Sequence, residues 1–158
     1  MRRNDDFDLT RYLPYLINRT GSRLAGAFTE AIRRSGVTLQ MWRVLAALNH
    51  ADGQRVSDLA ALTSIDVSTL SRLLRAMEAK GHVERRRPDC GDARVVIVHA
   101  TERGRAITAR IVPVARRYEA IAVAGLRPDE VKALKAMLVH VFHNIDALDG
   151  EAGAEAAA

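Results

Sequence analysis

Ser68, Thr69, Ser71, Arg72 and Arg75 lie within one run, DVSTLSRLLRAMEAKG, residues 66–81. Read as a helix, the run places Val67, Leu70, Leu73, Leu74 and Met77 on one stripe, three and four residues apart. The hydroxyls and guanidiniums then share the opposite side. Short hydroxyl side chains and arginines on a helix that buries its other face suit the major groove of duplex DNA. There they reach base edges, and arginine takes guanine or phosphate. Asp66 is a suitable N-cap for this helix and Gly81 a suitable left-handed terminator. Taken alone, the same pattern describes an ordinary solvated amphipathic helix. Its neighbours decide.

A second cationic group follows directly. His82–Arg87 (HVERRR) and Arg94–Ala100 (RVVIVHA) have strand periodicity, and PDCGDA between them is dense in turn formers. The resulting hairpin carries Arg85, Arg86, Arg87 and Arg94 near its tip, suited to phosphates or to a narrow minor groove.

The preceding elements must hold the reading helix. Residues 7–35 read as one long helix with Leu9, Leu13, Leu16, Ile17, Leu24, Phe28 and Ile32 at helical spacing, and Pro14 about one turn in. Thr38 caps a second helix, LQMWRVLAALNH. Arg55-Val56 is a short extended link, long enough for a strand of one or two residues. Ser57 caps a third helix, DLAALT, with Leu59, Ala60 and Leu62 facing inward. A short turn at Ser64-Ile65 then leads into the helix from Asp66, a helix-turn-helix arrangement. After the hairpin, Thr101 caps a fifth helix with Ile107, Ile111, Val114, Tyr118 and Ile121 in phase and Pro113 as a kink. Arg127 and Pro128 open a sixth. Its Val131, Leu134, Leu138, Val141, Ile145 and Leu148 step by three and four as an unbroken heptad seam. A chain of 158 residues has little core left for so many stripes. Some are therefore expected to bury against a second copy, an intrachain helix pair being the alternative. The terminal EAGAEAAA has no period and is expected to fray.

Composition is consistent with a globular chain: 48% hydrophobic, 27% charged, net charge +5. Lys and Arg outnumber Asp and Glu by 8 to 5 in residues 1–54 and by 10 to 7 in 55–105, but number 6 against 7 in 106–158. An anionic partner is thus expected on the first two thirds of the chain. Few aromatic residues argue against single strands stacked on rings and favour duplex DNA. MRRNDDFDLTRY has no apolar h-region and no window approaches a membrane span, so a cytoplasmic location is expected. The lone Cys90 leaves no internal disulfide. There is no glycine-rich phosphate loop, nucleophile elbow or HExxH, so an enzyme is not expected.

The order of elements, together with LQMWRVLAAL and the run from Val56 to Gly104, resembles the MarR family of winged helix-turn-helix regulators. The resemblance spans residues 7–148. Asp92, Arg94 and the Thr101-x-x-Gly104 motif match the family's wing signature. It implies a mainly α fold with a small β-wing and a helical dimerisation region from both termini. Residues 1–36 and 105–150 would dimerise, with Leu13, Leu16 and the six seam residues as contacts. Residues 37–104 would bind DNA, and 151–158 would be a flexible tail. It further implies a ligand-responsive transcriptional regulator, read as a repressor, on pseudo-palindromic duplex DNA. Helix 66–80 would enter the major groove and wing 83–100 the minor groove. Ser68, Thr69, Ser71, Arg72, Arg75, Arg87 and Arg94 would contact DNA, and Asp92 would orient Arg94. Tyr12, Tyr15, Arg19 and Trp42 lie in segments that line the family's cleft for a small aromatic or phenolic effector. No cofactor or metal is implied. Cys90 as a redox sensor, and His140, His143 and Asp146 as metal ligands, are weighed against incidental placement and a solvated face, which are preferred. A winged-helix protein-protein interaction module without DNA binding is the alternative function.

Overall fold

The computed structural model describes residues 7–87 and 95–155, with side-chain surroundings given as far as Ile145. Asp92 and Arg94, together with Cys90, lie outside the described residues, as do the side chains of Asp146 and Leu148. Six α-helices and three short strands are found in the order α1 (Leu13–Ile32), α2 (Leu39–His50), β1 (Gln54–Arg55), α3 (Val56–Thr63), α4 (Val67–Ala79), β2 (Val83–Arg86), β3 (Ile97–Ala100), α5 (Glu102–Ala122) and α6 (Pro128–Glu155). The fold is mainly α with a small antiparallel sheet, as the sequence leads one to expect. No helix among the described residues is long and apolar enough to cross a membrane.

The expected long first helix is three pieces. A 3-10 turn, Leu9–Arg11, is capped by Asp8 and precedes α1; a second, Arg33–Ser35, follows it and stops at Gly36 with φ +72°. Pro14 lies in the first turn of α1, where no intrahelical acceptor is lost. Thr38 caps α2 as expected, its hydroxyl accepting from Met41 N at 3.2 Å. Ser57 does not cap α3. The helix begins two residues earlier, at Val56 with Arg55 at the cap position, and the Ser57 hydroxyl donates to Asp58 instead. At the other end, α6 continues to Glu155, five residues into the segment expected to fray. Alanine and glutamate have high helix propensity even without a buried face.

The chain divides into two compact units, Met1–Tyr118 and Glu119–Ala158. In the first, Val44, Leu45, Leu59, Leu70, Leu74, Met77, Val83, Val98 and Ile111 are essentially sealed from solvent. They come from α2, α3, α4, β2, β3 and α5, so the helix-turn-helix and the sheet share one core. Two residues assigned inward are not part of it. Val67 is 55% and Leu62 56% exposed. Both flank the tight turn between α3 and α4, where Ser64 takes the left-handed conformation and Thr63 and Ile65 are the side chains that enter the core. Ile121, assigned to the α5 stripe, is 62% exposed near the helix end, beyond the reach of the core.

The sheet has the order β1-β3-β2. Gln54 pairs with Val98 and Arg55 with Ile97 on one side of β3; Val83 pairs with Ala100 and Arg86 with Ile97 on the other. The extended link after α2 is therefore the third strand. Both hairpin strands are shorter than their sequence periodicity indicates.

Candidate nucleic-acid interface

The start of α4 is organised by Asp66. Its carboxylate accepts from Thr69 N at 2.8 Å and from the Ser68 hydroxyl at 2.7 Å. Hydrogen bonding from Thr69, side chain first and then backbone, and from Ser68 holds the Asp66 carboxyl down to about 2. One acid thus fixes the first turn and one of the hydroxyls expected to read bases, that of Ser68. Because the Ser68 proton goes to Asp66, its oxygen turns lone pairs outward. Beyond them, Ser71 is half-buried and Arg72 and Arg75 are exposed; neither arginine has a carboxylate within 4 Å among the described residues. Ser68, Thr69, Ser71, Arg72 and Arg75 therefore share the face of α4 opposite Leu70, Leu74 and Met77, which are fully buried.

The far end of α4 is closed by two hydrogen bonds, Gly81 N to Glu78 O at 2.8 Å and His82 N to Met77 O at 2.9 Å. Gly81 has φ +69°, the left-handed conformation that this cap requires. The chain is then gripped by Thr101. Its hydroxyl donates to Gly81 O at 2.7 Å and accepts from Gly104 N at 3.0 Å. Gly104 passes so close to His82 that a Cβ there would lie 2.1 Å from the carbonyl oxygen. The Thr-x-x-Gly motif is thus a clamp between α5 and the turn from α4 into β2.

The hairpin stem differs from its reading as a row of free arginines. Arg85 is half-buried and forms a fork with Glu78 of α4, Nε to Oε2 at 2.9 Å, while its backbone N–H donates to Oε1 at 3.2 Å. Arg86 is paired with Glu84 at 2.6 Å. Strand geometry explains both: Arg85 and Arg86 lie in β2 itself and not at the tip, Arg85 within reach of Glu78 on α4 and Arg86 of Glu84 two residues back on the same strand. The Arg85 guanidinium holds the Glu78 carboxyl below its ordinary value. Arg87 is exposed at the last described residue before the tip.

Sequence reasoning passed over Glu78, and Asp52 as well. Asp52 accepts from Ala100 N at 2.8 Å, faces His99 Nδ1 at 3.3 Å and has Arg105 at 4.0 Å. Despite some burial that works against it, the Ala100 N–H and His99 bring its pKa down. It ties the end of β3 to the α2–β1 turn, where Gly53 has φ +73° and a Cβ would meet the His99 ring at 2.9 Å. The visible signal was the Asp-Gly turn before a short extended link.

Tyr12, Tyr15 and Arg19 gather around a cavity of about 400 Å³ with Leu9, Pro14 and Asn18. Arg19 Nη1 donates to the Tyr15 hydroxyl at 3.3 Å. Trp42 is not among them. It stacks obliquely on Phe28, with ring centroids 5.8 Å apart, and lines a different cavity of about 480 Å³ beside Arg43, His50 and Leu62. Leu13, Leu16, Leu134, Leu138 and Ile145 are exposed, and Val131 and Val141 half-buried.

Residues 35–94 match the MarR family profile. The chain is 30% identical to the transcriptional activatory protein BadR of Rhodopseudomonas palustris over 96% of its own length and 88% of that protein. Among solved structures it is similar to a MarR family transcriptional regulator from Silicibacter pomeroyi, with 31% identity, a TM-score of 0.80, and coverage of 91% and 97% of the two chains. It is also similar to BpsR of Bordetella bronchiseptica, whose DNA binding is regulated by 6-hydroxynicotinic acid, with 26% identity, a TM-score of 0.73, and coverage of 82% and 97%. A helix-turn-helix whose second helix is capped by Asp66 and coupled to an antiparallel strand pair, a Thr-x-x-Gly clamp and similarity over nearly the full chain place this protein in the MarR family of transcriptional regulators.

Proposed function

We propose that this regulator acts as a homodimer on pseudo-palindromic duplex DNA, with α4 in the major groove and the wing in the flanking minor groove. The observation that carries the reading is the face of α4: the ordered Ser68 hydroxyl at its capped end and two arginines without acidic partners among the described residues. Ser68, with its proton committed to Asp66, is suited to accept from the amino group of adenine or cytosine. Arg72 and Arg75 supply guanine or phosphate contacts, and Arg87 and Arg94 extend the cationic surface along the wing. Asp92 is the partner assigned to Arg94. The Glu78–Arg85 fork supports a rigid coupling of reading helix and wing, so that one fixes the register of the other.

The dimer reading rests on the exposed seam of α6 and on Leu13 and Leu16. Isolated surface leucines are ordinary; a heptad-spaced row of them is a packing face without its partner. Two reading helices then sit about one DNA turn apart. A small aromatic or phenolic effector is assigned to Tyr12, Tyr15 and Arg19, whose rings and guanidinium suit an aromatic anion; BpsR, responsive to an aromatic acid, supports that class. Repression is the simplest output, since a dimer on its operator excludes other proteins from the same DNA.

Titrating the purified chain into duplex DNA from upstream of its own gene tests the reading. Affinity in the specific range, falling linearly on a log–log plot against salt, is expected. Binding indifferent to salt, or no better than to unrelated duplex, would overturn it.

A further inference from the structure

A cavity of about 460 Å³ opens between the C-terminal end of α4, the turn into β2 and the first turns of α5. Three cations border it, Lys80, Arg103 and Arg110, and no carboxylate does. None of the three has an acidic partner within 4 Å among the described residues. His82 also lines it. That residue is only 4% exposed, and its Nδ1 is buried without a hydrogen-bond partner among the described residues. An unpaired polar atom in so closed a position costs stability unless something occupies it. Ala79, Ala106 and Ile107 supply an apolar wall.

We infer that this cavity is a second small-molecule site, distinct from the Tyr12–Tyr15–Arg19 cavity, which takes a small organic anion with its charged head among Lys80, Arg103 and Arg110. The volume is in the range of small-ligand sites and larger than an inorganic ion needs. Arginine supplies bidentate geometry for a phosphate or carboxylate, and lysine a compact third charge. Burial pushes the His82 pKa down, and the nearby charges of Arg103 and Lys80 push it further. The imidazole is therefore neutral at physiological pH, with one N–H to offer an acceptor in whichever tautomer the ligand selects.

The site is not an extension of the base-reading face. From Ser68 to Lys80 the chain advances twelve residues, about 18 Å along the helix axis. The cavity is instead bounded by the segment held by the Thr101 clamp: the His82 carbonyl accepts from Thr101 N at 3.2 Å and from its hydroxyl at 3.1 Å. An anion bridging Lys80 and Arg103 ties the end of α4 to the start of α5 across that clamp. Occupancy accordingly stiffens the seating of the reading helix without touching its DNA-facing residues.

Calorimetry of the full-length chain with propyl phosphate, and separately with butyrate, tests the site, since neither probe carries the aromatic ring assigned to the Tyr12–Tyr15–Arg19 cavity. Saturable one-to-one binding of at least one probe is expected, and which of the two binds tighter distinguishes a phosphate from a carboxylate head. Arg103→Gln with Arg110→Gln should weaken it by about tenfold or more, since two charge-assisted contacts are lost. Arg19→Gln should leave it unchanged. The His82 ring nitrogens should shift on titration, and His82→Phe, which keeps an apolar ring in a buried position, should weaken binding while unfolding at the wild-type temperature or above. No saturable binding of either probe, undiminished binding in the Arg103/Arg110 variant, or loss in Arg19→Gln would overturn the assignment. So would stoichiometric displacement of the probe by duplex DNA, which would make these cations part of the DNA surface. The DNA-binding reading fails or stands separately, because the probe titration contains no DNA.

Discussion

Helices α4 and α6 have the same apolar rhythm and opposite outcomes. Leu70, Leu74 and Met77 of α4 are fully buried by α2, α3 and the sheet, whereas Leu134, Leu138 and Ile145 of α6 are between 40 and 52% exposed. A three-and-four spacing states that a helix has a face to bury and says nothing about what buries it. In α4 the partner lies in neighbouring elements of the same chain, so the face left over is the polar one, which is the face proposed to read DNA. In α6 the apolar face is itself left over. One helix presents what remains after folding; the other presents what folding has not used.

Substitutions on the buried side should have the largest effects. Leu74→Ala removes a sealed side chain from the core and is expected to cost about 2–5 kcal/mol, read from urea unfolding. Leu138→Ser removes a comparable side chain from the exposed seam. It should leave the helical signal of the first unit intact and instead shift the sedimentation equilibrium toward the single chain. Equal losses of folding stability in both variants at low protein concentration would erase the contrast between the two helices.

Gly104→Ala comes next. The added methyl meets the His82 carbonyl, backbone against backbone, so relief requires moving α5 relative to the turn and is expected to cost about 1–3 kcal/mol. A wild-type melting temperature in that variant would show the clamp to be looser than its geometry.

Smaller and pH-dependent is the fork between Glu78 and Arg85. The carboxyl is depressed by its arginine, so its contribution is present above the ordinary carboxylate value of 4.5 and disappears as the pH falls through the lower folded-state value. Glu78→Gln should therefore cost a few tenths to about 1 kcal/mol at neutral pH, given the partial exposure of both partners, and nothing in strong acid. Unfolding curves at pH 7 and pH 2.5 check this.

Asp66 repeats the sign with a local readout. Depressed from 3.8 to about 2, it stabilises the first turn of α4 above pH 4 and releases it as the pH drops toward 2. Faster amide exchange at Thr69 in Asp66→Ala at neutral pH, and not in Asp66→Asn, is the expected outcome, because asparagine retains a capping oxygen.

These contrasts also separate what the sequence made legible. The caps at Thr38 and Asp66, the terminator at Gly81 and the Thr101–Gly104 motif depend on a few consecutive residues, and all are found where the sequence places them. Val67 and Leu62 fit an apolar stripe by spacing yet are exposed beside the α3–α4 turn, and Ser57 falls inside α3 because the helix starts two residues before the point its cap-forming side chain suggests. Arg85 was misassigned because its partner, Glu78, is on another element; charge alone does not say whether an arginine is already occupied. The division of Tyr12, Tyr15 and Arg19 from Trp42 is likewise tertiary, set by the stacking of Trp42 on Phe28.

The central claim is that the face α4 leaves unburied reads duplex DNA. It is tested most directly by comparing wild type with Arg72→Ala on DNA from upstream of the gene, over a series of salt concentrations, with circular dichroism confirming equal helix content. The account predicts a loss of about 1–3 kcal/mol in affinity, with relaxed preference at one base position if Arg72 reads guanine, or a salt slope smaller by about 1 if it holds phosphate. Indistinguishable affinity, slope and sequence preference in the two proteins would contradict it.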